Sequence, residues 1–489
     1  MGAKVNTGDR APKSQFGVQR TSSITRGSVQ VADSAAQEFD ILVLGGGSGG
    51  YAAALRGVQF GKSVGLIEKG KLGGTCLHNG CIPTKALLHT AEIADGARDA
   101  EKYGVKATFE SIDMDGVNKY KDGIVAGKHK GLQGLLKKKG VTVIEGEGKL
   151  VGEDAIEVDG KKYTGKNIIL ATGSYSKSLP GLEIKDRVIT SDEALKLDHV
   201  PKSVVVLGGG VIGCEFASVW KSFGVDVTIV EALPSLVPNE DDAIIKIFER
   251  SFRKRGINFS TGVRFEGVEQ NDDGVKVKLE DGKTFDADLL LVAVGRGPVT
   301  DGLGYEEASI TMDRGFVITN ERLHTGVGNI YAVGDIVPGL QLAHRGFQQG
   351  IFVAEEIGGL NPAVIDESGI PRVTYSEPEI ASVGLTEKAA KEKLGEDSVQ
   401  VQEYNLAGNG KSSIIGTGGL IKLVQEKDGP VIGVHMIGSR IGEQVGEAQL
   451  IVNWEAFPEE VAQLIHAHPT QNEALGEAHL ALAGKPLHG

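Results

Sequence analysis

Continuous runs of apolar residues, each bounded by glycine, organise the first part of the chain. Residues 39–44 read F-D-I-L-V-L and lead into the glycine-rich segment 45–50, after which small residues at 51–58 favour a helix. A further apolar run, V-G-L-I-E, ends at Glu68. Short apolar runs that end in glycine are typical of buried strands. The pattern therefore predicts the order strand, glycine turn, helix and strand.

The same order returns later in the chain. An apolar run at 204–208 leads into G-G-G-V-I-G at 208–213, a helix through Trp220 and a strand that ends at Glu231. Both units carry G-x-G-x-x-G, whose glycines permit a tight turn, close approach of a pyrophosphate and close packing of the helix. One match is weak, but two complete units with equal spacing from first glycine to final acid predict two dinucleotide sites. The glycines are Gly45, Gly47 and Gly50 in the first unit and Gly208, Gly210 and Gly213 in the second.

The acid that closes each unit indicates which nucleotide binds. A carboxylate at Glu68 or Glu231 is placed to hold ribose hydroxyls. At Glu231 it would also repel a 2′-phosphate, so the second site should prefer NAD over NADP. The alternative interpretation is that Glu231 is a solvated surface residue.

Three further apolar runs end in a glycine turn, at 167–174, 288–298 and 329–335. The first two are expected to be buried strands that form sheet edges closing over a nucleotide, and the third is a run of the same kind. The last run leaves Asp335 beside Gly334. Its carboxylate either caps a helix or binds the sugar-like chain of a flavin.

From about Pro371 apolar and polar residues alternate, and helical patterns follow from Ile441 onward. An antiparallel sheet with helices on one side is therefore expected, and hence a separate α+β domain. Near the end of the chain, Pro469 disfavours helix at His468, which places that imidazole at a chain reversal.

The pattern alone leaves the role of this last segment, H-A-H-P-T-Q-N-E, open. His466 and His468 could be catalytic or could be structural histidines. Glu473 could orient an imidazole, or it could close a capping box that begins at Thr470.

Composition restricts the class of protein. The 489 residues carry a net charge of −13 without a basic stripe, which argues against nucleic-acid binding. No apolar stretch has the length of a membrane span, so no membrane association is expected. Residues 1–38 are rich in Ser, Thr, Gln and Gly and predict a disordered tail, with a transit peptide as the alternative.

Two of the three cysteines, Cys76 and Cys81, stand close together in the chain. With Cys214 as the only other thiol, a four-ligand zinc site lacks ligands, and no metal is expected. A disulfide across this spacing needs a backbone wound more tightly than a helix, which Gly80 permits and Pro83 ends. Such a strained bond would be labile and redox-active. From spacing alone, the pair could also be two small buried hydrophobes.

These segments together resemble the disulfide flavoprotein reductases, and most closely the dihydrolipoamide dehydrogenases, especially those of actinobacteria. The resemblance covers about residues 39–489 and rests on both glycine units, C-x-x-x-x-C, A-T-G-S, A-V-G-D and H-P-x-x-x-E. It implies an α/β fold with two Rossmann-like domains, for FAD and NAD, and a C-terminal α+β dimerisation domain. The expected boundaries are 39–185 and 299–370 for the two parts of the FAD-binding domain, 186–298 for the NAD-binding domain and 371–489 for the dimerisation domain.

The resemblance also implies which residues hold FAD on the first unit and NAD on the second. Besides the glycines and acids already named, the expected cofactor-binding residues are Thr75, Lys85, Gly148, Thr172, Gly173, Ser174, Glu215, Gly295, Asp335, Gln341, Leu342, Ala343 and His344. Among them, Lys85 and Glu215 would form a pair beside the flavin.

By the same likeness, Cys76 is the thiol that exchanges with the substrate and Cys81 lies against the flavin. His468 would be the base, oriented by Glu473, and would come from the other subunit of a homodimer. An imidazole can accept a proton from a dihydrolipoyl thiol. The departures from the family pattern are His78, an added imidazole that could alter the ionisation of Cys76, and Thr84, where serine is common.

The activity implied is oxidation of protein-bound dihydrolipoamide to lipoamide with NAD as acceptor. The partners would be the lipoyl domains and the peripheral-subunit-binding region of 2-oxo acid dehydrogenase acyltransferases, or the glycine cleavage system. The alternative is an NAD(P)H-dependent reductase of glutathione or mycothiol disulfides. A bacterial cytoplasm is the expected location, with the mitochondrial matrix as the alternative if the tail is a transit peptide.

Overall fold

The computed structural model describes residues 37–488. The disordered tail predicted for residues 1–38 lies outside this part of the chain as far as residue 36. The first strand begins at Gln37, two residues before the predicted start of order, because Gln37 and Glu38 pair with Tyr163 and Thr164 of a neighbouring strand. Because Gln37 and Glu38 are polar, the apolar pattern did not include them in the strand.

The strands of the described residues are short and most are buried. The first nine are β1 (Gln37–Leu44), β2 (Val64–Glu68), β3 (Thr142–Glu145), β4 (Gly148–Leu150), β5 (Ala155–Val158), β6 (Lys161–Leu170), β7 (Ser174–Ser176), β8 (Val188–Ile189) and β9 (Ser203–Leu207). The next ten are β10 (Asp226–Val230), β11 (Asn258–Ser260), β12 (Phe265–Gln270), β13 (Val275–Leu279), β14 (Thr284–Ala287), β15 (Leu289–Val292), β16 (Arg296–Pro298), β17 (Met312–Asp313), β18 (Phe316–Val317) and β19 (Ile330–Ala332). The last five are β20 (Arg372–Thr374), β21 (Glu379–Gly384), β22 (Val399–Asn405), β23 (Leu420–Glu426) and β24 (Val431–Gly438).

The α-helices range from single turns to one of 26 residues. The first seven are α1 (Ser48–Gln59), α2 (Gly74–His78), α3 (Cys81–Arg98), α4 (Met114–Lys139), α5 (Ser191–Ala194), α6 (Val211–Ser222) and α7 (Asp242–Lys254). The others are α8 (Ala343–Ile357), α9 (Glu387–Leu394), α10 (Gly410–Ile414), α11 (Val445–Asn453), α12 (Pro458–Val461) and α13 (Glu473–Leu482). No helix within residues 37–488 has the length and apolar character needed to cross a bilayer.

The two predicted strand–glycine–helix–strand units build two separate sheets. The first has the order β3-β2-β1-β6-β5-β4, with β19 paired to β6, and its strands β3, β2, β1, β6 and β19 run parallel. The second has the order β11-β10-β9-β15-β8 and is parallel throughout. Parallel strands buried on both faces explain the continuous apolar runs.

The runs at 167–174 and 288–298 were expected to be sheet edges, and this is wrong, because they form β6 and β15, each of which pairs with a strand on both sides. The carboxyl ends of β6 and β15 lie beside the carboxyl ends of β1 and β9, at the same end of each sheet. The glycine turns after β1 and β9 also lie at these carboxyl ends, where ligands bind in open α/β sheets.

Two distant stretches share the core of the first sheet. Buried side chains from 39–171 pack with others from 303–353. Helix α8 contributes by packing on α1 through glycines, since a Cβ added at Gly350 would lie 2.2 Å from the Gly49 carbonyl oxygen. The later stretch therefore completes the layer that begins at β1.

The last sheet has the order β20-β21-β24-β23-β22, and every pairing in it is antiparallel. Helices α11 and α13 pack against it around a core of aliphatic side chains from 373–482. The predicted α+β arrangement of the carboxyl-terminal part is thereby confirmed.

Candidate active site and nucleotide sites

The two cysteines lie on either side of a break between two helices. Cys76 is on α2, which ends at His78, and Cys81 is the first residue of α3. Gly80 lies at the break, where an added Cβ would be 3.0 Å from the Thr75 carbonyl oxygen. Both cysteines are half-buried free thiols. The helix is therefore interrupted between them, at the glycine that was predicted to permit an unusual backbone.

The pKa values of the two thiols are shifted in opposite directions. A hydrogen bond from Cys76 and the positive charge of Lys85 outweigh burial and lower the pKa of Cys81 to about 7. The same hydrogen bond, together with burial, raises the pKa of Cys76. The position of Cys81 at the amino terminus of α3 also favours a negative charge there. The pair therefore releases its first proton easily and holds the resulting thiolate at Cys81.

We predict that the reduced protein forms this thiolate as pH rises through about 7 rather than the ordinary thiol value of 9.0. The ultraviolet absorbance of the thiolate, compared with that of Cys81→Ser, measures the midpoint. Lys85→Met should move the midpoint upward because it removes the neighbouring cation. A wild-type midpoint near 9 would show that Cys76 and Lys85 do not stabilise the Cys81 thiolate.

A part-buried ion pair lies beside Cys81. The Lys85 Nζ atom donates to both carboxylate oxygens of Glu215, at 3.0 and 2.9 Å, and Glu215 is only 3% exposed. Burial alone would lower the pKa of Lys85, but Glu215 outweighs it and raises that pKa. Lys85 therefore carries its positive charge beside Cys81.

Tyr375 completes this arrangement and had no signal in the sequence. Its backbone N–H donates to Glu215 at 3.0 Å, and its ring centre lies 4.6 Å from the Lys85 Nζ atom. Only the fold brings a residue of this late segment to α3. Tyr51, on α1, is a second unanticipated neighbour, because burial and the Cys76 and Cys81 thiols raise its pKa to about 12.

The first glycine turn has the geometry that its spacing predicted. Gly45 has φ of +105°, and a Cβ there would be 2.3 Å from the Ala171 carbonyl oxygen. Gly47, which precedes α1, leaves open space, its nearest neighbour being 3.9 Å from a Cβ position. At Gly50 a Cβ would lie 1.8 Å from the Gly45 carbonyl oxygen, so the helix packs tightly on the turn.

The second turn repeats this geometry. A Cβ at Gly208, with φ of +111°, would lie 2.3 Å from the Ala293 carbonyl oxygen, and one at Gly213 would lie 2.0 Å from the Gly208 carbonyl oxygen. Gly210 has no atom within 4 Å of its Cβ position and immediately precedes α6. In both units the open second glycine therefore leaves a phosphate room at a helix amino terminus.

The acids that close the units are bound in the same way. Glu68 accepts from the backbone N–H groups of Gly46, at 2.6 Å, and Gly70, at 2.7 Å. Glu231 accepts from those of Gly209, at 2.6 Å, and Leu233, at 2.7 Å. The interpretation of Glu231 as a merely solvated residue is therefore wrong.

The second unit opens into a cavity of about 680 Å³, a volume typical of ligand sites. The predicted residues Gly208, Gly210, Glu231 and Gly295 line it. Arg264 lines the same cavity but comes from a later segment, so no pattern near Glu231 indicated it. These residues fit a dinucleotide, while Gly213 serves the packing of α6.

On the first unit, the predicted Ser174 and Asp335 meet. The Ser174 hydroxyl donates to the Asp335 carboxylate at 2.5 Å and accepts from Arg296 Nε at 2.7 Å. Asp335 lies inside the single 3₁₀ turn Gly334–Ile336, whose cap is Val333, so its interpretation as a helix cap is wrong. Arg296 had no separate signal in the sequence, although it belongs to one of the three glycine-ended runs.

The other residues expected to hold FAD surround these. Thr75 precedes Cys76 on α2, and the Thr172 hydroxyl donates to the Val299 carbonyl oxygen at 2.6 Å. Gly173 has φ of +75° and open space at its Cβ position. Gly148 is different, because a Cβ there would lie 2.6 Å from the Leu44 side chain, which explains this glycine by core packing.

The last four of these residues lie where the loop before α8 meets the helix. Gln341 donates to the Asp335 carbonyl oxygen at 3.3 Å, and Leu342 is the residue before α8, which begins at Ala343. His344 Nε2 lies 2.8 Å from the Pro371 carbonyl oxygen. The loop therefore continues from the Asp335 turn into the helix that packs on α1.

His468 and Glu473 form a second group. His468 Nδ1 lies 3.0 Å from a Glu473 carboxylate oxygen, and the His468 side chain is 78% exposed. The Glu473 N–H donates to the Thr470 hydroxyl at 3.2 Å, but the predicted capping box is wrong, because α13 begins at Glu473 with Asn472 at its cap position. Because the Glu473 carboxylate contacts Nδ1 of His468, it can orient the imidazole and leave Nε2 available to accept a proton.

His78, which departs from the family pattern, and Cys214, the third cysteine, have no direct part in this geometry. His78 Nε2 lies 3.0 Å from the Leu72 carbonyl oxygen, and the ring packs edge-on against His129. Cys214 is fully buried, and its thiol donates to the Gly209 carbonyl oxygen at 3.3 Å. In residues 37–488, no three His, Cys, Asp or Glu side chains come together as metal ligands.

The structure thus brings together Cys76, Cys81, Lys85 and Glu215 and, in another place, His468 and Glu473. Within the described residues no hydrogen bond joins the two groups. The redox pair lies next to the first glycine turn, and Glu215 belongs to the helix of the second.

Comparison with known proteins agrees with this architecture. Residues 39–350 match the family model described as pyridine nucleotide-disulphide oxidoreductase. Residues 370–479 match the dimerisation domain of the same family.

Individual relatives cover most of the chain. A dihydrolipoyl dehydrogenase of Bacillus subtilis is 40% identical over 93% of this chain and 100% of its own length. The mitochondrial dihydrolipoyl dehydrogenase of Pisum sativum is 39% identical over 93% of each chain. Among solved structures, LpdA of Mycobacterium tuberculosis superposes with a TM-score of 0.85 at 26% identity, over 91% of this chain and 100% of that one. The chain belongs to the pyridine nucleotide-disulphide oxidoreductase family.

Proposed function

We propose that this chain is a dihydrolipoyl dehydrogenase, which oxidises protein-bound dihydrolipoamide to lipoamide and reduces NAD. The observation that carries the proposal is the Cys76–Cys81 pair, held between a nucleotide-binding turn and the Lys85–Glu215 ion pair. Curated relatives of that name, at about 40% identity over most of the chain, support it.

FAD and NAD are the cofactors. FAD would lie on the first glycine turn, where Gly47 leaves room for its pyrophosphate and Glu68 and Asp335 supply carboxylates. NAD would occupy the cavity beside Gly210 and Glu231. When bound, the two cofactors carry the electrons of the reduced cysteine pair onward as hydride.

Disulfide exchange accounts for the positions of the two cysteines. In the oxidised enzyme a substrate thiolate attacks the Cys76 sulfur, which breaks the bond to Cys81 and forms a mixed disulfide. Cys81 leaves as a thiolate, which Lys85 and the start of α3 stabilise. The second substrate thiol then displaces Cys76, so the substrate gains one disulfide while the enzyme's disulfide becomes two thiols.

His468 moves the protons of this exchange. With Nδ1 held by Glu473, its Nε2 atom can take the proton from the substrate thiol and return one to Cys76. Its exposure, and the match of this segment to the family's dimerisation domain, support its delivery to the cysteines of the partner subunit. The chain is a homodimer, and each complete site would then draw on both subunits.

We extend the proposal to the environment of the enzyme. The partners would be the lipoyl domains and peripheral-subunit-binding region of 2-oxo acid dehydrogenase acyltransferases. A cytoplasmic location is proposed, and the mitochondrial alternative depends on residues outside the described part. The domain limits 39–185, 186–298, 299–370 and 371–489 are proposed in the same way.

The test of the function is a comparison of substrates. We expect purified protein with FAD to form NADH from dihydrolipoamide and NAD far faster than it reduces the disulfides of glutathione or mycothiol with NADH or NADPH. Turnover with only one of those disulfides would instead establish the reductase alternative.

Glu231→Gln should weaken the discrimination between NAD and NADP. The glutamate places a negative charge where a 2′-phosphate would lie, whereas Gln leaves Arg264 of the same cavity free to attract that phosphate. We expect the ratio of kcat/KM for NAD to that for NADP to fall about 10-fold or more. Glu280→Gln changes an exposed side chain whose backbone N–H donates to the Arg264 carbonyl oxygen, and it should leave the ratio unchanged. A wild-type ratio in Glu231→Gln would refute this role.

A further inference from the structure

One carboxylate holds both ends of the loop that carries His468. Glu447, on α11, accepts from His466 Nε2 through Oε1 at 2.8 Å. Its other oxygen, Oε2, accepts from the Asn472 side chain. His466 lies two residues before His468, and Asn472 immediately precedes Glu473. The loop between them is therefore fixed at both of its ends by the same side chain.

Further contacts hold the base of this loop against the α+β domain. The Asn409 side chain donates to the Thr470 carbonyl oxygen at 3.0 Å, and Gln471 donates to the Ser439 carbonyl oxygen at 2.9 Å. The His466 ring lies against α13, because a Cβ at Gly476 would be 2.6 Å from its Nδ1 atom. Glycine at this position is what allows the imidazole to approach the helix.

The two histidines of the H-A-H segment consequently face opposite ways. The His466 side chain is 11% exposed, whereas that of His468 is 78% exposed and the neighbouring Ile465 is fully exposed. The anchored imidazole is directed into the domain, and the imidazole two residues later projects from it. An exposed side chain can keep a fixed direction only if the backbone that carries it is held.

We propose that His466, Glu447 and Asn472 form a positioning cluster, which sets the direction of His468 and the distance between His468 and Glu473. This inference rests on the proposed function, because it assumes that His468 exchanges protons with the substrate. The cluster contacts neither substrate nor cysteine, and it acts only through the loop. The sequence left open whether His466 is catalytic or structural, and this cluster gives it a positioning role in the reaction.

The cluster should affect turnover more than substrate binding. A base displaced by about 1 Å can lose a large part of its effect, up to about 100-fold, while the substrate still binds. His466→Leu removes the hydrogen bond to Glu447 and preserves bulk, so we expect kcat for dihydrolipoamide to fall about 10-fold or more at unchanged KM. His466→Gln keeps a donor that can reach the carboxylate, and it should restore most of kcat.

Glu447→Gln offers a second route to the same result. Its amide can still accept from one neighbour but confronts the other with a donor, so one end of the loop is released. We expect kcat to fall as in His466→Leu. Glu459→Gln, an exposed change on the nearby α12, is the matched control and should retain wild-type kcat.

Two further measurements separate positioning from loss of structure and from failure of the proposed function. NADH-dependent reduction of ferricyanide does not need His468 and should stay at the wild-type rate in every variant. If that rate falls in parallel with lipoamide turnover, or if His466→Leu and Glu447→Gln behave like Glu459→Gln while His468→Ala is impaired, the positioning role is refuted. If His468→Ala itself turns over dihydrolipoamide normally, the proposed function fails, and the inference with it.

Discussion

Cys81→Ser should lower kcat for dihydrolipoamide oxidation by at least about a thousandfold. A serine cannot form the disulfide with Cys76, so the substrate thiolate has no sulfur–sulfur bond to attack and no thiolate to expel. Steady-state formation of NADH from dihydrolipoamide and NAD measures the effect. The large size of the expected loss reflects the fact that no other thiol of the described residues lies next to Cys76.

Cys214→Ser is the matched control for this experiment. Cys214 is fully buried below the second glycine turn, where a hydroxyl can make the same hydrogen bond to the Gly209 carbonyl oxygen. We expect this variant to keep wild-type turnover. If Cys81→Ser retained more than about a tenth of the wild-type rate, disulfide exchange at this pair would not be the mechanism.

His468→Ala should lower kcat by about 100- to 10,000-fold, the range that a positioned acid–base group contributes. The reason is that Glu473 fixes Nδ1 and leaves Nε2 as the only atom of the imidazole available to the substrate thiol. Reduction of ferricyanide by NADH should be unaffected. A parallel loss of both activities would show that the change acts on the fold rather than on proton transfer.

Mixed dimers test whether His468 serves the partner subunit. A dimer of one Cys81→Ser subunit and one His468→Ala subunit contains one intact site if the histidine crosses the interface. Random mixing in equal amounts makes about half of the dimers mixed, so about a quarter of wild-type turnover should return. If both groups of one site came from a single subunit, mixing would restore nothing.

The local parts of the nucleotide sites could be predicted from the sequence. The glycines of each turn follow from contacts within one strand–turn–helix unit, such as that of Gly50 with Gly45. Spacing along the chain therefore determines the geometry. The same reasoning accounts for the continuous apolar runs that form the parallel strands.

Contacts between distant segments could not be predicted in this way. Tyr375 reaches Glu215 from 160 positions away, and Arg296 reaches Ser174 from 122. No periodicity of side chains records such contacts. The Lys85–Glu215 pair, 130 positions apart, was expected only because the chain resembles a known family.

For some residues the sequence allowed two interpretations, and the structure was needed to choose between them. For Asp335, the interpretation as a helix cap is excluded because Val333 occupies the cap position, and its carboxylate accepts from the distant Ser174 hydroxyl. Glu473 donates its backbone N–H to the Thr470 hydroxyl, while its carboxylate lies 3.0 Å from Nδ1 of His468. The neighbours of each carboxylate are set by the fold, and the residue type alone does not specify them.

The central claim is that dihydrolipoamide exchanges directly with the Cys76–Cys81 disulfide. It is tested most directly by mixing the oxidised protein with dihydrolipoamide in the absence of NAD and oxygen, and then counting thiols in the denatured protein. The account predicts a gain of two thiols per subunit, lost again when NAD is added, and no gain in Cys81→Ser. No gain in the wild-type protein, or the same gain in Cys81→Ser, would contradict it.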